Sequence, residues 1–290
     1  MSVISTLGGN TPQYVPAIES KSILFSKTAV YSSTLIKMAG GRDAGAFFRG
    51  REGDGLRNLH YIYRKIRILT MQKIRSCAEL IDYIGQVGIL PLLSTAGLPG
   101  WSAESVVDDD CQYTRLPDGG WEWPLWEWKG AIIQDSGCAY GKLVGGKAAF
   151  VSRDWWPDLC NHRRHAMPLE EGSVEEMIWL TLREHGSLIT RDLRRACGFT
   201  GPKMRSRFDA YVTRLEMGCR VVTEDFVYPR DRHGKEYGWG WSLLTTPESL
   251  LGHDMCHPQR TPEESRQRLL GLLHRILPGL GDKAYNSILK

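Results

Sequence analysis

SVEEMIWLTLREHGSLITRDLRRACGFTGPKMRSRFDAYVTRLEMGCRVVTEDFVYPRDRHGKEYGWGWSLL, from Ser173 to Leu244, is the stretch that decides the fold. Val174, Met177, Ile178, Leu180 and Leu182 recur at helical spacing behind Ser173, an N-cap hydroxyl, with Glu176 three residues on as its capping-box partner. Gly186 turns the chain into Ser187-Leu188-Ile189, a short strand, and Thr190 caps a second helix, RDLRRACG, which Gly198 ends. Gly201-Pro202 opens a third helix, because proline suits the first helical position. Along it Met204, Phe208, Tyr211, Val212 and Leu215 share one buried face, and Gly218 stops it. Arg220 to Tyr228 and Tyr237 to Leu244 are rich in strand-forming residues and flank the polar loop PRDRHGKE. Helix, short strand, helix, helix and a two-stranded hairpin make a winged helix.

The charges of this module point toward nucleic acid. At about 100° per residue, Lys203, Arg207 and Arg214 fall within about 40° of one another on a stripe beside the buried face of the third helix. Arg230, Arg232, His233 and Lys235 stand at the tip of the hairpin. Cations on both helix and wing are what a module lying on phosphates needs. The alternative is a scaffold for protein contacts, since Asp209, Glu216, Asp231 and Glu236 dilute the charge.

Immediately upstream lies GWEWPLWEWKGAIIQDSGCAYGKLVGGKAAFVSRDWWPDLCNHRR, Gly120 to Arg164. Trp121, Trp123, Trp126, Trp128, Trp155 and Trp156 make it either a dense aromatic core or a base-stacking surface, and its position before the module favours the core. Trp121 and Trp123 alternate as in a strand that Pro124 breaks and Ala131-Ile132-Ile133 resume. Ala139 to Leu143 and Ala148 to Ser152 read as a hairpin turning at Gly145-Gly146. Arg153 to Arg164 reads as a short helix with its tryptophans inward and Arg163 and Arg164 outward.

Before this segment, Cys77, Leu80, Ile81, Ile84 and Val87 predict a helix capped by Ser76 and ended by Gly88. After the module, Thr261-Pro262-Glu263-Glu264 starts a helix whose apolar face is Leu269, Leu270, Leu272, Leu273 and Ile276. Lys283 to Leu289 adds a last one, and HDMCHPQR, from His253 to Arg260, reads as a linker. Residues 1 to 70 lack sustained periodicity and hold ten Lys or Arg against four Asp or Glu, a charge of +6. The remainder holds 27 against 29, so its nucleic-acid affinity must come from clustered cations. The fold class is therefore α+β and mostly helical, with a winged helix-turn-helix module and an aromatic-rich β-hairpin segment. Its parts are a disordered or loosely packed basic arm (1–70), an N-terminal helix with the Trp-rich β segment (71–170), the winged helix (171–250) and C-terminal helices (251–290).

With 290 residues and 42% hydrophobic content the chain can bury a real core. It has neither the long apolar run of a membrane span nor the order of a signal peptide, so a cytoplasmic protein without a membrane partner is expected. Seven scattered cysteines, never in a Cys-x-x-Cys pair, fit reduced thiols. Cys160, His162 and His165, and likewise His253, Cys256 and His257, lie close in sequence without the second pair of a structural zinc site. In GKLVGGK, Gly141 to Lys147, Ala148 stands where a phosphate loop needs a hydroxyl. No metal and no cofactor is expected.

IDYIGQVGILPLL (Ile81 to Leu93), EWPLWEWKG (Glu122 to Gly130), YGKL and KAAFVSRDWWPDLCNHRR (Tyr140 to Arg164), and EHGSLITRDL and RLEMGCRVV (Glu184 to Val222) carry a resemblance. Residues 71 to 290 resemble the AlkZ/YcaQ-like winged-helix DNA glycosylases, and more narrowly the AlkZ-related bacterial proteins. The resemblance implies double-stranded DNA as partner, repair of alkylated DNA as context, and hydrolysis of an N-glycosidic bond as the possible reaction. In those glycosylases a Gln-hydrophobic-Gln or Gln-hydrophobic-Asp motif after the first helix orients the attacking water. Gln86-Val87-Gly88 stands at that place here, which makes Gln86 the candidate catalytic residue and leaves its third position without a side chain. Glu122 and Glu127 are alternative carboxylates. Lys203, Arg207, Arg214, Arg232 and Lys235 are the candidate phosphate contacts, and Trp123, Trp126, Trp128, Trp155 and Trp156 the candidate aromatic site. The alternative is a non-catalytic interaction or regulatory protein.

Overall fold

The computed structural model describes residues 73–95, 98, 100–201, 203–234 and 236–290, all within the unit Leu56–Lys290. The basic arm, Pro202 and Lys235 lie outside the described residues. Helix α1 (Cys77–Val87) starts as expected: the Ser76 hydroxyl accepts from the Glu79 N–H at 3.2 Å, and the Glu79 carboxylate reaches back to the Arg75 N–H at 2.7 Å. Leu80 and Ile84, one turn apart, are its buried residues. Gly88 ends the helix with φ 79°, and β1 (Ile89–Pro91) follows. Helix α2 (Ala103–Val106) is held by a reciprocal Ser102–Ser105 cap. Two short strands, β2 (Thr114–Arg115) and β3 (Trp121–Glu122), then pair antiparallel.

The Trp-rich segment departs from the reading as an interrupted strand. Pro124 opens helix α3 (Pro124–Ser136), and Leu125, Lys129, Ile132 and Ile133 form its buried side. Their steps of four, three and one are helical, and the tryptophan alternation concealed them. Proline at the first helical position needs no N–H partner, so it begins an element where it would have broken a strand. The hairpin is as expected: β4 (Ala139–Val144) and β5 (Lys147–Val151) turn through Gly145 and Gly146, both at positive φ. β5 is the middle strand of the sheet β1-β5-β4.

Helix α4 (Trp156–Ala166) buries Trp156 completely. Its arginines were expected to face solvent, and the structure corrects this. Arg163 is 1% exposed and donates to the carbonyls of Leu289 and Ile288 at 3.2 and 2.9 Å. Arg164 donates to the Cys219 carbonyl at 3.0 and 2.8 Å and pairs with Glu248 at 2.5 Å. Guanidinium donors are spent on free carbonyl groups that would otherwise be buried without partners. Asp158 is buried between Arg260 (2.7 Å) and Arg268 (3.0 Å).

Helix α5 (Val174–His185) is capped by Ser173, β6 is Leu188–Ile189, and α6 spans Thr190–Ala196. Thr190, expected as its cap, is its first residue, and its hydroxyl donates to the Ser242 carbonyl at 3.1 Å, tying helix to sheet. Helix α7 (Met204–Met217) is followed by β7 (Val222–Val227) and β8 (Trp241–Thr245), and the three strands form an antiparallel sheet in the order β6-β8-β7. Ile178, Leu182, Leu193, Phe208, Val212, Leu215, Val221 and Leu244 make one hydrophobic cluster inside this module. The apolar stripe of α5 is narrower than its sequence suggested, since Met177 and Leu180 are exposed.

A larger cluster gathers the buried residues of α1 to α4, the first sheet and the C-terminal helices. Those helices are α8 (Pro247–Leu251), α9 (His253–Cys256), α10 (Pro262–Ile276) and α11 (Asp282–Leu289). The short α9 lies within the expected linker. Thr261 and Glu264 cap α10 reciprocally, and Leu269, Leu272 and Leu273 seat it against the core. The described fold is α+β, about half helical, with small antiparallel sheets. None of its helices is long and apolar enough to cross a membrane.

Candidate nucleic-acid interface

Lys203, the residue before α7, and Arg207, on its second turn, are exposed. Among the described residues no carboxylate lies within ion-pair distance of either, so both charges face solvent uncompensated. Arg214 is on the same stripe, but its Nε is 2.6 Å from Glu175 of α5 and its guanidinium lies over Tyr211. In the β7–β8 loop, Arg230 pairs with Glu236 at 2.9 Å, and Arg232 is exposed with its Nε 2.9 Å from the His233 ring.

One edge of α7 is already occupied. Glu216, counted in the sequence as diluting surface charge, is buried against β4. It accepts from the Lys142 N–H at 3.2 Å, while Lys142 Nζ sits 3.8 Å from its other oxygen and donates to Thr213 at 2.9 Å. Burial lifts the Glu216 carboxyl to about 7. The opposite end of α7 is open. Between α6, α7 and β8 lies a cavity of about 250 Å³ lined by Thr190, Arg191, Arg194, Arg205, Asp209 and Trp241. These arginines do not stand out in the sequence because they lie off the Lys203 stripe. The visible signal was Arg191 and Arg194 three apart on one helix face, with Arg205 about 160° round α7 from Arg207.

The aromatic residues divide between core and surface. Trp156 belongs to the core, and Trp128 and Trp155 pack half-buried against it. Trp123 and Trp126 stack at 4.9 Å, and Trp239, from the β7–β8 loop, meets both edge-on and stacks on Trp121 at 4.7 Å. Trp126 Nε1 donates to the Trp239 carbonyl at 3.2 Å. This cluster fastens the loop to α3. Beneath it Lys129 is 1% exposed, its Nζ 3.1 Å from the Trp126 ring centre and 4.0 Å from that of Phe226. Burial pushes its ammonium down to about 7, while the two ring faces favour the charge.

Gln86 is exposed in the last turn of α1. Its motif neighbour Gly88 is buried, and a Cβ there would lie 2.5 Å from Trp155 Cδ1 and 2.9 Å from its Nε1. The indole occupies the space a third-position side chain would need. Glu122 and Glu127 are both exposed, apart from any buried acid–base pair. Among the described residues the two Cys–His sets meet through Cys160, whose thiol donates to the Cys256 carbonyl, and no cluster could hold a metal ion.

A family model described as AlkZ related matches residues 74–290. The chain belongs to the AlkZ-related family. No curated protein and no solved structure matches it. The AlkZ-related match starts at the isolated bridge Ile74–Val107 ahead of α1 and runs through α11, so every element above falls within it. The motifs WEWKG and WWP therefore have definite places in this AlkZ-related chain. The first supplies Trp126 and the buried Lys129, and the second supplies the Trp155 that packs on Gly88.

Proposed function

We propose that this AlkZ-related protein binds double-stranded DNA through residues 171–250 as a winged helix, with α7 as the helix that lies on the duplex. The observation that carries the reading is the pair of uncompensated charges, Lys203 and Arg207, at the open end of the third helix of a helix–strand–helix–helix–strand–strand module. In a winged helix the N-terminal part of that third helix meets the DNA and the hairpin loop touches the flanking backbone. Arg232 and Lys235 then serve as wing contacts. Arg214 contributes less, because Glu175 already holds its charge. Helices α1 to α4, the first sheet and the C-terminal helices, which share the larger hydrophobic cluster, form the body on which the module is mounted.

Base excision asks for more than these residues supply. Hydrolysis of an N-glycosidic bond needs a polar group to orient water and stabilise the forming sugar cation. Gln86 can supply one such group, but Gly88 supplies no second, and Trp155 fills its side-chain space. Purified protein should bind a labelled duplex with an affinity that falls by about two orders of magnitude from roughly 50 to 200 mM salt, and should leave alkylated duplex uncut. Absent binding would end the DNA reading. Excision by the wild type that Gln86→Ala abolishes would restore the catalytic one.

A further inference from the structure

The cavity beside α7 has features that duplex phosphates alone do not require. Three guanidiniums reach it, and each is differently engaged. Arg194 donates one N–H to the Phe199 carbonyl at 2.8 Å, which fixes the half-buried group while leaving its other donors without a partner among the described residues. Arg205 is exposed and only loosely attached to Asp209, at 3.9 Å. Arg191 pairs with Asp192 at 3.0 Å and lies 4.9 Å from the Trp241 ring centre. Two acceptors complete the lining: the Asp209 carboxylate, and the lone pairs of Thr190 Oγ1, whose hydrogen goes to Ser242.

Cations, an aromatic wall and hydrogen-bond acceptors together describe a nucleotide better than a bare anion. Arginine donors suit a phosphate, and the indole with its stacked guanidinium suits a base plane. A carboxylate opposes inorganic phosphate but suits the amino edge of a base. A base inside a duplex cannot present its face to Trp241, so the nucleotide must be unpaired.

We propose that this cavity takes one unpaired nucleotide of a DNA strand, with its phosphate on Arg194 and Arg205 and its base against Trp241. The proposal rests on the reading that the module meets DNA; because Arg205 stands about 160° round α7 from Arg207, the strand that enters the cavity is one that leaves the duplex and passes round the start of the helix. The cavity holds about 250 Å³, a little below the roughly 300–1,000 Å³ of pockets that enclose drug-sized ligands, so a nucleotide would be held by its phosphate and base with the remainder in solvent.

The test is fluorescence anisotropy of the full chain with three labelled probes: a blunt duplex, the same duplex with a short single-stranded overhang, and the overhang strand alone. Deoxyadenosine monophosphate and inorganic phosphate serve as competitors. Wild type should bind the overhang duplex about tenfold more tightly than the blunt one, the worth of one base–aromatic stack. Arg205→Gln, a surface change, and Trp241→Leu should each remove that advantage while blunt-duplex affinity stays within about twofold. Thermal unfolding checks that both variants fold. No overhang preference in the wild type, or an equal weakening on both duplexes, overturns the proposal, as does competition by inorganic phosphate as effective as that by the nucleotide. If the blunt duplex fails to bind while the overhang strand binds and loses affinity on Arg205→Gln, the duplex reading fails and the cavity assignment stands. Binding of the mononucleotide without any preference for the overhang refutes a strand site.

Discussion

Replacing Gly88 by alanine should destabilise the protein by about 3 kcal/mol, and the cost can be divided. Gly88 adopts φ 79° and ψ −43°, a region that residues with a Cβ enter at about 1–2 kcal/mol. The added methyl would also lie 2.5 Å from Trp155 Cδ1 and 3.0 Å from Leu272 Cδ2. Relieving that overlap requires the indole to leave its place against the core, and overpacking of this kind costs about 1–3 kcal/mol. Urea unfolding of wild type, Gly88→Ala, Trp155→Ala and the double variant separates the parts. In the Trp155→Ala background the alanine should cost only about 1–2 kcal/mol, leaving a coupling of about 1–2 kcal/mol. A single-variant cost below about 0.5 kcal/mol, or equal costs in both backgrounds, would refute the reasoning. The same overlap means that Gly88→Gln, which would rebuild the water-orienting motif, cannot fold well unless Trp155 is removed with it.

Glu216, lifted by burial to about 7, contributes stability that is full below its ordinary 4.5 and is lost as pH rises through 7. Glu216→Gln should therefore be more stable than wild type at pH 8 by about 2–3 kcal/mol and lose that advantage near pH 5, as read by equilibrium unfolding. Lys129 behaves in the opposite sense: with its folded value depressed to about 7, its contribution is present above 10.5 and lost as pH falls through 7. The stability of Lys129→Met relative to wild type should be greatest at pH 6 and shrink toward pH 9.5, and a gap that ignores pH would contradict the burial argument. Asp158→Asn, which disrupts two ion pairs around a fully buried carboxylate, should cost about 2–4 kcal/mol in the same assay.

What the sequence disclosed was local. Ser173, Ser76 and Thr261 each accept from the backbone three residues on, so caps and periodicity defined α5, α1 and α10 without knowledge of anything distant. The hairpin at Gly145-Gly146 was legible for the same reason. The errors came from distant partners and overlapping patterns. Arg163 and Arg164 looked like surface residues because the carbonyls and the carboxylate they satisfy lie 55 to 126 positions away. Helix α3 was hidden because two tryptophans two apart imitate a strand, although Leu125, Lys129 and Ile132 carried the helical period. The arginine cavity was invisible as a unit because it is assembled from α6, α7 and β8, and no single segment contains enough of it to stand out.

The central claim is that the open end of α7 meets DNA phosphates, and the salt dependence of duplex binding tests it most directly. Wild type and the double variant Lys203→Gln/Arg207→Gln should be titrated with one duplex across a range of salt. The logarithm of the binding constant should fall linearly with the logarithm of salt, and the variant's slope should be shallower by about 2, one for each phosphate that the variant no longer neutralises. An unchanged slope in the variant, or wild-type binding indifferent to salt, would contradict the account.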